Sequence, residues 1–156
     1  MIMEKEIRIY NYRFGELKTY LLVILFVIGN IALPQLCHLI PNGGKILLPI
    51  YFFTFAASYK YGFKVGLLTA IFSPIINSFL FGMPVLNLLP VILTKSIVLA
   101  TAAAFVANKT QKISLLNLLM IVMIYQIIGT LAEWAMTSSF YIAIQDFRLG
   151  VPGMII

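Results

Sequence analysis

The sequence predicts an all-α integral membrane protein, a compact bundle of about six transmembrane helices whose last member is incomplete. Three observations predict it. The 156 residues are 62% hydrophobic with a mean hydropathy of +1.01. A soluble domain is about 45–50% apolar, so this chain carries more apolar surface than a small core could hide. The apolar residues fall in runs close to the ~20 that cross a bilayer core of roughly 30 Å. Finally, the cations collect in alternate connections between those runs.

Residues 1–18 are polar by comparison and predict a cytoplasmic amphipathic leader. Tyr10, Tyr12 and Phe14, set among Arg8, Arg13 and Lys18, suit the headgroup layer. The apolar run that follows ends in Pro and His with no small-x-small site, so an uncleaved leader is expected. Residues 19–156 are expected to form a single transmembrane domain. Its apolar segments are Thr19–Ile40, Ile46–Tyr59, Val65–Leu80, Leu86–Ala107, Ile113–Met136 and a last one from about Phe147 to the chain end. The second is short. The sixth is a stub, and a helix continuing past it is expected.

Charge sets the orientation. Lys5, Arg8, Arg13 and Lys18 precede the first segment, Lys60 and Lys64 separate the second from the third, and Lys109 and Lys112 separate the fourth from the fifth. The alternate connections hold a single Lys in Pro41–Lys45, no charge in Phe81–Val85, and only Asp146 in Thr137–Phe147. The excess of Lys and Arg on cytoplasmic loops predicts a multi-pass protein of the cytoplasmic membrane with its N-terminus inside.

The stretch from Ser73 to Lys95 organises the rest. It predicts the end of one helix, a tight turn at Phe81–Pro84 and the first half of the next, with Pro74, Gly82, Pro84 and Pro90 as breakpoints. Polar residues recur at helical spacing and should face inward: Asn30, Pro34 and His38; Thr69, Ser73 and Asn77; Gln126, Thr130, Glu133 and Thr137. Ser96, Ala100 and Ala104 form a ladder of small residues that admits a close neighbour helix.

Several functions are excluded. The basic residues form no patch interleaved with aromatics, which argues against nucleic acid. One Cys and one His cannot build a Cys/His metal site within this chain. The sequence Gly43-Gly44-Lys45 lacks the spacing of a phosphate-binding loop, and no catalytic constellation emerges. Neither an enzyme nor a cofactor is expected.

Lys95 and Glu133 are the ionisable residues lying most clearly within apolar runs, where a charge costs a few kcal/mol and normally faces the bundle interior. Two readings stand side by side. Either they pair with each other, or Glu133 is merely interfacial beside Trp134; the other reading is that they line a polar pocket that opens outward, with Lys95 meeting an anionic group of a ligand. The stripe through Gln126 and Thr130 likewise serves either helix association or a ligand. Asn42 to Lys45 is a plain turn or a lid.

The run Ile46–Ala107 resembles the substrate-binding S components of energy-coupling factor (ECF) vitamin transporters. The resemblance rests on the apolar helix, the cytoplasmic Tyr61-Gly62-Phe63 turn, a helix rich in small residues, the Gly82-Met83-Pro84 outer turn and a fourth helix containing Pro90. It implies a subunit that captures a vitamin or similar nutrient from outside, then docks on a membrane T component and two cytoplasmic ATPases. It implies a pocket of Asn42, Lys45, Asn87, Lys95, Gln126, Thr130, Glu133 and Trp134, with 42–45 as lid. The Ala-x-x-x-Ala pattern common in the family's first helix is lacking here, where Gly29 and Ala32 stand instead. The alternative is a small structural or assembly protein of the membrane with no ligand.

Overall fold

Apolar segments surrounded by lipid must close their backbone hydrogen bonds within themselves, and helices do this. The computed structural model describes residues 5–6, 8–37, 39, 41 and 49–150. Its helices are α1 (Leu17–Cys37), α2 (Phe52–Tyr61, entered through a 3-10 turn at Pro49–Tyr51), α3 (Phe63–Phe81), α4 (Leu89–Thr110), α5 (Leu115–Thr137), α6 (Phe140–Ala143) and α7 (Gln145–Leu149). A two-residue antiparallel ladder pairs β1 (Lys5–Glu6) with β2 (Lys112–Ile113).

Four helices, α1, α3, α4 and α5, are long and apolar enough to cross a membrane. They correspond to the first, third, fourth and fifth expected segments. The second differs: its described helix is ten residues, about 15 Å at 1.5 Å per residue, half of a bilayer core. Pro49 falls in the 3-10 turn at one end, and Gly62, at φ 94°, stops the helix at the other. The connection expected at Thr137–Phe147 is partly helical, while residues 151–156 of the sixth segment lie outside the described residues. The chain re-forms helix at Phe140 and again at Gln145, in pieces of four and five residues, because Ser138 adopts a left-handed φ of 52° and Ser139 starts a new helix by accepting from Ile142 N–H.

The turn after α3 is longer than expected. Gly82 caps α3 in the left-handed region, its N–H reaching Ser78 O at 2.9 Å, and Ser78 Oγ donates to Pro84 O at 2.7 Å. Helix then resumes at Leu89 rather than Leu86, with Pro90 in the first turn, where its missing N–H costs nothing.

α4 is the axis of the bundle, packing on α2, α3 and α5. Its buried side carries Ser96, Leu99, Ala100, Ala103, Ala104 and Ala107, so the small-residue ladder lies inside as expected. α5 buries Asn117, Ile121, Tyr125, Gly129 and Glu133, four residues apart throughout, and presents Leu119, Met123, Ile127 and Leu131 outward. The polar stripes of α1 and α3 also face in. Asn30 Nδ2 lies 3.0 Å from both Thr54 Oγ1 and Ser73 Oγ, and its Oδ1 accepts from Phe53 N–H at 3.2 Å, a donor the start of α2 leaves over.

The connections rich in cations meet at one end. Tyr10 N–H donates to Lys60 O at 2.9 Å, Asn11 Nδ2 to Asn108 Oδ1 at 3.0 Å, and Tyr59 OH to Lys112 O at 2.6 Å. Residues 8–16 of the expected leader cross this basic end as irregular backbone between β1 and α1.

Candidate functional site

Opposite the basic end, the chain gathers its charges from three helices. Lys95 lies six residues into α4, roughly 9 Å along its axis. Glu133 lies one turn before the end of α5, and Asp146 stands in the first turn of α7. The Lys95 ammonium donates to Glu133 Oε2 and, at 2.7 Å, to Asp146 Oδ2. The three side chains are 3, 10 and 14% exposed, so all are largely withdrawn from the surroundings.

Local sequence explains the convergence. The stem of Lys95 crosses α5 at Gly129, where an added Cβ would stand 2.8 Å from Lys95 Cγ. Only a residue without a side chain lets the lysine reach over to Glu133, which points from the same face one turn on. The Ser138–Ser139 turn then folds α6 and α7 back so that Asp146 meets the ammonium from a third direction. Thr137 Oγ1 steadies that turn by donating to Glu133 O at 2.8 Å.

Further in, Gln126 Nε2 donates to Tyr125 OH at 3.0 Å, and the Tyr125 ring packs on Tyr51 with centroids 5.7 Å apart. Gln126 is fully buried and Thr130 nearly so. Among the described residues, Ser96 Oγ and Thr130 Oγ1 are buried with no hydrogen-bond partner, a cost of about 1–3 kcal/mol for each group left unmade.

Of the sequence-predicted site residues, the structure therefore brings Lys95 and Glu133 together, with Thr130 and Gln126 on the same buried face. Two others lie elsewhere. Asn87 is exposed in the 82–88 connection, and Trp134 is 47% exposed, its ring edge-on to Phe140 at 5.6 Å. Asn42 and Lys45, with the lid they were expected to form, and His38 fall outside the described residues.

Sequence reasoning passed over Asp146, Gly129 and Tyr51. The one signal for Asp146 was that no cation lay beside it in its own connection. An apolar groove of about 400 Å³ runs between α1 and α3, lined by Val23, Val27, Ile31, Phe72 and Ile76 among others. No residue of the charge cluster lines it, so this groove is not the expected polar hollow. Among the described residues, no group of three or more His, Cys, Asp or Glu could hold a metal ion.

The fold and this cluster define a helical membrane protein with a buried ionic site near one end. The chain matches no protein-family model, no curated protein and no solved structure.

Proposed function

We propose that this chain is the ligand-capturing membrane subunit of an importer of the energy-coupling factor kind. It takes a vitamin-like nutrient at the outer end of the bundle and hands it on through a T component and two cytoplasmic ATPases. In this reading the basic end faces the cytoplasm and the Lys95 cluster faces outward.

One observation carries the proposal. The buried cluster is out of balance: two carboxylates face one ammonium, and the Thr130 hydroxyl, about one turn from Glu133 on the same buried face of α5, lacks a partner. Ionisable groups within membrane helices are costly and normally serve a pathway or a ligand. Formal charge also bears on ligand chemistry. Lys95 was expected to meet an anionic group, but it is already held by Glu133 and Asp146. With both carboxylates ionised the cluster carries one negative charge, and in that state it favours a ligand that presents a cationic group, such as a protonated amine.

A second reading has its own support. Because Lys95 bridges α4, α5 and α7 through its own carboxylates, the cluster also works as an ionic staple in a structural or assembly protein with no ligand. Binding measurements on the purified protein separate the two. The transporter reading expects one compound of a vitamin panel to bind at micromolar affinity or tighter, and binding to vanish in the charge-free variant Lys95→Met/Glu133→Gln/Asp146→Asn. No binder across the panel would overturn it and leave the staple.

A further inference from the structure

Six cations come from separate stretches of sequence, yet the fold assembles them at the basic end. Arg8 and Arg13 lie in the leader, Lys18 in the first turn of α1, Lys60 in the last turn of α2, Lys64 in the first turn of α3 and Lys109 in the last turn of α4. Two of these are poorly placed for helix stability. Lys18 and Lys64 each stand at the second position of their helix, where the dipole disfavours positive charge, and neither first turn holds an acid, although Glu16 directly precedes α1.

An aromatic floor underlies the face, so the fold does interleave basic residues with aromatics, contrary to the sequence expectation, because the leader packs against the α2–α3 turn. The Tyr10, Tyr12 and Tyr61 rings are within 18° of parallel, with centroids 5.8, 6.0 and 6.4 Å apart. Three nearly equal separations make a triangle rather than a column, so the rings spread sideways. Cations lie over this floor and its margin: the Arg8 guanidinium 5.3 Å from Tyr10, Lys60 Nζ 5.7 Å from Tyr61 and Lys64 Nζ 5.2 Å from Phe14. A cation held over a ring keeps N–H groups for an anion. Few acids compete, and Glu16 already spends Oε1 on Arg13 N–H at 2.9 Å.

We propose that this basic, tyrosine-floored face binds the phosphate headgroups of anionic phospholipids, Arg8, Lys60 and Lys64 being the principal contacts. The occupant follows from level and charge. Lys64 stands in the first turn of the membrane-length α3, Lys60 in the last turn of α2 four residues before it, and Arg8 is held beside them over Tyr10, whose N–H donates to Lys60 O. The three therefore lie at the level of that end of α3; headgroups lie in that layer, and amphipathic aromatic rings favour it. A soluble acidic partner would match the charge but not the level.

The test uses the full chain purified in a non-ionic detergent. Native mass spectrometry and thermal unfolding are followed while phosphatidylglycerol or phosphatidylcholine is added. Phosphatidylglycerol should stay bound and raise the unfolding midpoint, and phosphatidylcholine should do neither. At about fivefold in affinity per basic residue, Arg8→Gln/Lys60→Gln/Lys64→Gln should weaken phosphatidylglycerol binding about 100-fold. The charge-preserving variant Arg8→Lys/Lys60→Arg/Lys64→Arg should keep it, which holds the test open if the neutral variant fails to fold. Equal binding of the two lipids overturns the proposal, as does wild-type binding by the neutral variant. Preferential capture of a poly-glutamate peptide with no lipid selectivity would assign the face to a protein partner instead.

Discussion

Replacing Lys95 by Met keeps the length of the side chain and removes its charge, leaving Glu133 and Asp146 buried together without a cation. At an effective dielectric near 20, each contact is worth about 4 kcal/mol before desolvation is counted. Breaking a buried pair by deleting one partner typically costs about 3–5 kcal/mol, because the other charge stays buried and uncompensated. Lys95 is 2% exposed and touches two carboxylates, which places it toward the upper part of that range, while the 14% exposure of Asp146 offsets some of this. A loss of about 4 kcal/mol corresponds to roughly 10 °C in unfolding midpoint for a chain of this size. The triple variant Lys95→Met/Glu133→Gln/Asp146→Asn should recover to within about 1 kcal/mol of the wild type, since charge and counter-charge leave together. Thermal unfolding in detergent measures both. Should Lys95→Met melt with the wild type, the cluster is not a desolvated ion pair. Should the single and triple variants fall equally, the loss lies in packing of the lysine stem across Gly129 and not in charge.

Other perturbations probe the frame around the cluster. Gly66→Ala would bring a Cβ to 2.6 and 2.7 Å of Ser58 Cβ and Cα, so α2 and α3 must part; a loss of about 2 kcal/mol is expected, in line with overpacking, and an unchanged unfolding midpoint would refute that approach. Asn30→Ala leaves the Phe53 N–H, Thr54 and Ser73 without their shared partner, for about 2–3 kcal/mol, read by the same melt. Trp134→Ala should change neither stability by more than about 1 kcal/mol nor binding of any panel compound, because the ring lies outside the buried face. Weakened binding in that variant would extend the site past Glu133.

What could be read from the sequence follows from what lipid penalises. Charge is expensive in hydrocarbon, so Lys60, Lys64, Lys109 and Lys112 marked one set of helix ends, and the structure brings those ends together. Buried polar side chains need partners, so the inward stripes through Asn30, Ser73 and Gln126 were legible from spacing alone. Trp134 lies off the buried face because one step past Glu133 turns about 100° round the helix. Asp146 was illegible for a different reason. Its place beside Lys95 depends on a left-handed Ser138 and two short helices, backbone choices that no periodicity announces. The described helix of the second segment runs two residues past its expected end, to Tyr61, because hydropathy does not see that Gly62, at φ 94°, is where the helix stops.

The two polar networks differ in a way that bears on function. Around Asn30 both amide donor contacts and the carbonyl acceptor contact are made, within side chains that are fully buried, and the arrangement ties α1, α2 and α3 together. A network so satisfied has nothing to offer a ligand and rigidifies its helices. Around Lys95, two carboxylates share one ammonium, and the hydroxyl of Thr130, about one turn from Glu133 on the same face of α5, goes unmatched. If helix association were the whole purpose of the polar residues, the second network should be as complete as the first, since partial satisfaction is penalised most where solvent is least available. Their contrast favours assigning association to the Asn30 side of the bundle and capture to the Lys95 side, where a cationic guest would supply the charge and the donors the protein leaves out.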